Sequence, residues 1–209
     1  SNVKMVQSLN FNAIFGIFNV FKKPQLAVPH MIIDDIRDIK FDLLKRKGIK
    51  ALVFDKDNTL TVPYANEIHP PFKNAWQECK KQFGSENIII VSNSAGTTDD
   101  SDFRQAKKIE DNLGVPVLRH KSKKPGCGPE LISHFARYPP ETIVVIGDRI
   151  LTDIVFGNLN GMATIFTKRI ITEKGDNKIA NIVRKMEYRL LVLLQTWGIK
   201  PPRHPLLSD

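Results

Sequence analysis

Cysteine is nearly missing: Cys79 and Cys127 are the two in 209 residues. Two isolated thiols build neither a disulfide framework nor a zinc site, and they suit a reducing compartment. No run of about 18 apolar residues occurs, which argues against a spanning helix. No secretory signal, internal repeat or low-complexity stretch is evident. Acidic residues are in deficit, 22 Asp and Glu against 31 Lys and Arg, giving a net charge of +9 and a pI near 9.6. That imbalance points to an anionic partner: a phosphorylated substrate, an acidic lipid surface or nucleic acid. Nucleic acid is not expected, because no aromatic-rich RNA signature accompanies the basic run. Hydrophobic content of 42% and charged content of 25% are those of one ordinary soluble domain, long enough to bury a core.

What is present is organised around residues 51–60. Ala51, Leu52, Val53 and Phe54 read as a short buried strand, ended by Asp55-Lys56-Asp57-Asn58-Thr59. Further buried strands are expected at 88–91, 143–146 and 163–166, with a shorter one at 115–118 whose Pro116 suits a sheet edge. Helices are expected over 34–47, 72–83, 101–112, 129–138, 152–160 and 177–197. Alternating strands and helices predict an α/β fold, a Rossmann-like doubly wound, mostly parallel sheet.

Chemistry-bearing residues recur at the strand ends, where open α/β sheets place their ligands. Asp55 and Asp57 follow the first strand, Ser92 and Asn93 the second, Lys123 and Lys124 the basic run 119–124, and Asp148, Arg149 and Asp153 the strand at 143–146. Phosphoryl transfer needs an in-line nucleophile, neutralised equatorial oxygens and an acid for the leaving alcohol. Asp55 fits the nucleophile, and Asp57 the acid and later the base. Asp55, Asp148 and the backbone carbonyl of Asp57 suit a hard cation such as Mg²⁺, with Asp153 orienting its shell. Ser92 and backbone N–H groups near Asn93 suit phosphate oxygens, and one of the adjacent Lys123 and Lys124 the phosphate charge. Arg119, Lys121, Lys123, Arg104 and Arg149 read equally as ligand contacts or a solvated face, and His120 equally as structural.

This order (D-x-D-x-T after a strand, Ser at the next strand end, K-P, then G-D-x-x-x-x-D) resembles the haloacid-dehalogenase-like phosphatase superfamily across residues 50–166. The stretches Phe-Asp-Lys-Asp-Asn-Thr-Leu, Ile-Val-Ser-Asn-Ser-Ala-Gly, Pro-Val-Leu-Arg-His-Lys-Ser-Lys-Lys-Pro-Gly-Cys and Gly-Asp-Arg-Ile-Leu-Thr-Asp-Ile, with Pro29-His30 upstream, narrow it. They are similar to the mitochondrial phosphatidylglycerophosphate phosphatases of the cardiolipin pathway. The resemblance implies Mg²⁺, a lipid phosphomonoester substrate and a peripheral place on the matrix face of the inner membrane; its K-P pattern favours Lys124 over Lys123. Superfamily members often insert a cap domain. Here about 35 residues separate Asp57 from Ser92 and about 30 separate Ser92 from Lys124, all used by core elements. An open, capless site is expected, suited to a phosphate on something too large to enclose.

Outside that core, residues 7–21 are apolar and aromatic, and on a helix Phe11, Ile14, Phe15, Phe18 and Phe21 share a face closed by Lys22 and Lys23. Such a helix suits an anionic membrane surface, or packing on the domain or on a second copy in an oligomer. The expected division is an amphipathic, membrane-associating segment with a proline-containing linker over 1–31, the phosphatase domain over 32–199 and a flexible tail over 200–209. Two other readings stay open: a phosphatase of a soluble or protein phosphomonoester, and a non-catalytic binding module.

Overall fold

Apolar runs without polar alternation need cover on both faces, and four of them form strands in which every residue is buried. These are β2 (Ala51–Phe54), β3 (Ile88–Ile90), β4 (Ile143–Gly147) and β5 (Ala163–Thr167). With β1 (Met31–Ile33) they make one five-stranded sheet, ordered β1-β5-β4-β2-β3, with every pairing parallel. Val53 lies opposite both Ile89 and Val145, and Ile146 opposite Ile165. The computed structural model describes residues 14–172 and 177–207.

Successive strand residues face opposite sides, and the core divides accordingly. Leu52, Phe54, Val144 and Ile146 meet α2 (Phe41–Arg46), α3 (Lys73–Phe83) and α4 (Arg104–Leu113) through Leu44, Trp76 and Ile109. Ala51, Val53 and Val145 meet α5 (Gly128–His134) and α6 (Val155–Leu159) through Leu131 and Phe156. On that second side Val20 of α1, a helix described over residues 14–22, clusters with Ile150, Leu151 and the Leu191 and Leu194 side chains of α7 (Lys178–Thr196). The result is the doubly wound α/β fold expected, and no further domain interrupts the chain between Asp57 and Lys124.

Several local expectations differ from what is observed. The helix expected over 34–47 is a 3₁₀ turn at Ile36–Asp38, started by the Asp35 carboxylate accepting from Arg37 N–H, and then α2. The segment at 115–118 contributes a single bridge, Val117 beside Ile90, because the Pro116 nitrogen cannot donate to a ladder. The helix expected over 152–160 opens with a π turn at Ile150–Ile154 before α6.

Residues 24–31, expected as an extended linker, form a 3₁₀ turn at Pro24–Ala27 that buries Leu26 and Ala27, and then enter β1 at Met31. The segment 200–207, expected as a flexible tail, packs on the domain: His204 is buried and Leu206 and Leu207 rest on the core. The apolar Leu206 and Leu207 and the ring of His204 gain more from burial than the proline-rich backbone loses by ordering. Phe11 and the start of the N-terminal helix lie outside the described residues.

Candidate active site

Because the strands are parallel, their carboxyl ends share one edge, and the residues following them converge there. Asp55 comes off β2 and Asp148 off β4; Asp153 sits in the π turn that follows. Carboxylate oxygens of Asp55, Asp148 and Asp153 lie within 4.8 Å of one another. The approach is close because residue 147 is glycine: a Cβ there would stand 2.3 Å from Asp153 Oδ2.

Two cations answer this charge. Lys124 is 2% exposed, and its Nζ donates to Asp55 Oδ1 at 2.7 Å and to Asp153 Oδ1 at 2.5 Å. Burial opposes the charge on Lys124, but Asp153 and Asp55 more than offset it and hold its pKa above the ordinary lysine value. Arg184 of α7 places Nε 2.6 Å from Asp148 Oδ2. Burial, reinforced by the Asp55 charge, pushes Asp148 up to about 6 despite Arg184. Burial likewise pushes Asp153 up to about 7 despite Lys124.

A cluster whose acids resist ionisation suits a site completed by a cation. Asp148 Oδ1 is buried with no hydrogen-bond partner, and a buried acceptor left unmade is costly. Three oxygen donors around such an atom fit a hard divalent cation such as Mg²⁺ better than a soft metal.

Asp57 lies at the rim, partly exposed. Its Oδ1 is tied to Lys56 Nζ and accepts from Tyr64 N–H at 2.9 Å, whereas Oδ2 bonds no described residue. Ser92 is buried, its Oγ accepting from the N–H groups of Ser94 and Ala95. Asn93 Oδ1 accepts from Lys124 N–H at 2.7 Å, so Asn93 fixes the loop that carries the buried lysine. His120 is structural: its Nε2 donates to the Ser92 carbonyl at 2.9 Å and Nδ1 stands 2.6 Å from the Ser122 carbonyl.

Two candidates are directed elsewhere. Lys123 pairs with the exposed Asp99 at 2.9 Å, so the structure brings Lys124, not Lys123, to the carboxylates. Arg149 is bound through Nε to Glu187 of α7 at 2.8 Å, which turns its guanidinium to an ion pair.

Residues not singled out from the sequence also shape the site. Asn58, at a left-handed φ of 59° that asparagine tolerates, donates to Asp148 Oδ2 at 3.1 Å and accepts from Ile171 N–H at 2.7 Å. Lys168 and Arg169 follow β5 at the same carboxyl edge, and the strand-end rule that found Asp148 could have found them. Arg184 carried no local signal, since it reaches the site only by the return of α7.

A family described as mitochondrial PGP phosphatase matches residues 11–172. Over 209 residues the chain is 42% identical to an Arabidopsis thaliana protein named phosphatidylglycerophosphate phosphatase 1, chloroplastic/mitochondrial, covering 97% of this chain and 58% of that one. A Chlamydomonas reinhardtii protein named phosphatidylglycerophosphate phosphatase 1, chloroplastic, is 39% identical over 206 residues, with 97% and 76% covered. A Saccharomyces cerevisiae mitochondrial phosphatidylglycerophosphatase is 33% identical, with 87% and 97% covered. Thus the chain spans little more than half of the plant relative but nearly all of the yeast one. With the D-x-D pair, the buried lysine and the clustered acids all present, the chain belongs to the mitochondrial PGP phosphatase family of haloacid-dehalogenase-like phosphatases.

Proposed function

We propose that this chain removes the terminal phosphate of phosphatidylglycerophosphate to give phosphatidylglycerol, through a phosphoaspartate on Asp55. The observation that carries the reading is the clustered set of partly exposed Asp55 with buried Asp148 and Asp153, and Lys124 seated among them. A carboxylate oxygen of Asp55 attacks phosphorus while the bond to the glycerol oxygen breaks, and Asp57 gives that oxygen its proton. Asp57 then takes a proton from water, whose oxygen attacks the phosphoaspartate, freeing inorganic phosphate and the Asp55 carboxylate. Asp55, Asp148 and Asp153 would hold Mg²⁺, which supplies positive charge against the phosphoryl oxygens. Lys124 adds a fixed charge beside Asp55 and positions its nucleophilic oxygen. Ser92, after the neighbouring strand β3 at the same edge, would offer its hydroxyl proton to a phosphoryl oxygen while the Ser94 and Ala95 N–H groups hold its Oγ in place.

The place of action we assign is the matrix face of the inner mitochondrial membrane, held peripherally. No described helix is long and apolar enough to cross a membrane. Exposed Ile14, Phe15, Ile17, Phe18 and Phe21, flanked by Lys22 and Lys23, suit an anionic lipid surface.

Phosphate release measured on bilayer phosphatidylglycerophosphate tests the reading. Turnover is expected with Mg²⁺, none after chelation, and a loss of at least about a thousandfold in Asp55→Asn, on the order of 4 kcal/mol in the barrier. Full activity of the chelated protein or of Asp55→Asn overturns the mechanism. Faster hydrolysis of soluble monoesters than of the lipid overturns the substrate.

A further inference from the structure

Beside the carboxylate cluster, the residues after β5 and the first half of α7 enclose a cavity of about 500 Å³. Asn58 and Asp148 belong to its lining, so it adjoins the site built above. Among the described residues five cations line it, Lys168, Arg169, Arg184, Lys185 and Arg189, against the two carboxylates of Asp34 and Asp148. Asp34 lies within 3.4 Å of both Lys168 and Arg169, Arg169 also pairs with the buried Asp35 at 2.9 Å, and Asp148 is paired with Arg184. Arg189 forms no ion pair with a described residue. One wall is aromatic, the Tyr188 ring stacked on Phe166 with centroids 6.4 Å apart.

An excess of cations in a concave, partly apolar space calls for an anion on an apolar body. The helix outside the cavity says which kind. Ile182, Met186, Arg189, Leu193 and Trp197 recur at helical spacing on one stripe, and the four apolar members are exposed. A guanidinium set within an exposed apolar stripe matches the headgroup boundary of a lipid, where the phosphate stands above its acyl chains.

The proposed substrate carries two phosphates, a terminal monoester and an internal diester separated by a glycerol. Asp55 can engage the first alone. We infer that this cavity binds the phosphodiester, through Lys185 and Arg189 with the Tyr188 ring against the glycerol, and so selects a phosphatidylglycerol-type substrate over a simple phosphomonoester. The inference rests on the reading of the function given above.

Binding separates the two, because the product lipid keeps the diester and lacks the monoester. Soluble dihexanoyl-phosphatidylglycerol and inorganic phosphate are each titrated calorimetrically into the full chain. Lys185→Glu/Arg189→Glu is expected to weaken the lipid roughly tenfold or more and phosphate by less than about threefold. Arg189→Gln, a change at an exposed side chain, should shift the lipid in the same direction. No lipid binding by the wild-type chain, or equal loss of both ligands, overturns the inference. Diester binding that persists in a chain unable to release phosphate from the lipid would overturn the proposed reaction and leave the cavity's role standing.

Discussion

Lys124 shows how much a single buried charge decides here. Its ammonium is itself buried as the partner of Asp55 and Asp153, and removing one member of a buried ion cluster strands the rest. Lys124→Met keeps the volume and removes the charge. It is expected to lower the stability of metal-free protein by about 3–5 kcal/mol, with part recovered on adding Mg²⁺; denaturant titration with and without the ion measures both. Lys123→Ala removes a pair whose acid is 64% exposed, and it should change stability by less than about 1 kcal/mol and turnover far less than Lys124→Met. The reverse ranking in turnover would move the phosphate-binding role one residue back. At this scale the sequence was legible where a strand end dictated position, as for Asp55 and Asp148, whereas Lys124 was preferred to Lys123 only through the K-P pattern of the resemblance. It was not legible where neighbours diverge: Lys123 and Arg149 are adjacent to site residues, yet Asp99 and Glu187 hold them away.

At the scale of elements, buried apolar runs declared themselves because a central parallel strand has no polar face. β1 did not, being three residues long, after two prolines, and only partly buried. What makes it a strand is non-local: Ile32 pairs with Phe166, and the flanking His30 is gripped from both sides. His30 Nε2 donates to the Pro202 carbonyl at 2.8 Å, its Nδ1 accepts from Thr164 N–H at 3.0 Å, and the His204 ring meets it edge-on at 5.1 Å. The two ends of the domain are thereby joined across neutral imidazoles. Burial lowers the pKa of His30, and burial with the His30 charge lowers that of His204. Below the ordinary histidine pKa of about 6.5 the unfolded chain therefore binds protons that the folded chain refuses. This contribution is complete above that pH and is lost as pH falls through the lowered values. Melting temperature should fall more steeply between pH 7.5 and 5.5 in the wild type than in His30→Asn/His204→Asn, about those pH limits being where histidine charge changes. Parallel pH profiles would remove the pair from the acid response.

For the whole molecule, net charge and one aromatic segment foreshadowed a surface that no single element reveals. α1 turns Gly16 and Val20 inward, with the Gly16 position too close to the Leu151 carbonyl for any side chain. Its larger apolar residues stay outside, Phe21 at 85% exposed, and Trp197 at the end of α7 is 67% exposed. Helical periodicity could name the apolar residues of α1 but not say which side the domain would take; Gly16, the smallest residue, marks the packed side. Burying each phenylalanine in a bilayer contributes roughly 1.5–3 kcal/mol, and each lysine near an acidic surface about 1 kcal/mol. Lys22, whose Nζ sits 4.5 Å over the Phe18 ring, joins both terms at one point. Phe15→Ser/Phe18→Ser leaves the core untouched, since both rings are about half exposed. It should cut co-sedimentation with anionic vesicles by roughly tenfold or more, and reduce turnover of bilayer substrate several times more than that of a small soluble phosphomonoester. Val20→Ser, which opens the buried side, should instead lower the melting temperature and depress both activities together. Equal losses on the two substrates in the phenylalanine variant, with normal co-sedimentation, would assign those rings to packing against protein and take the membrane out of the reaction.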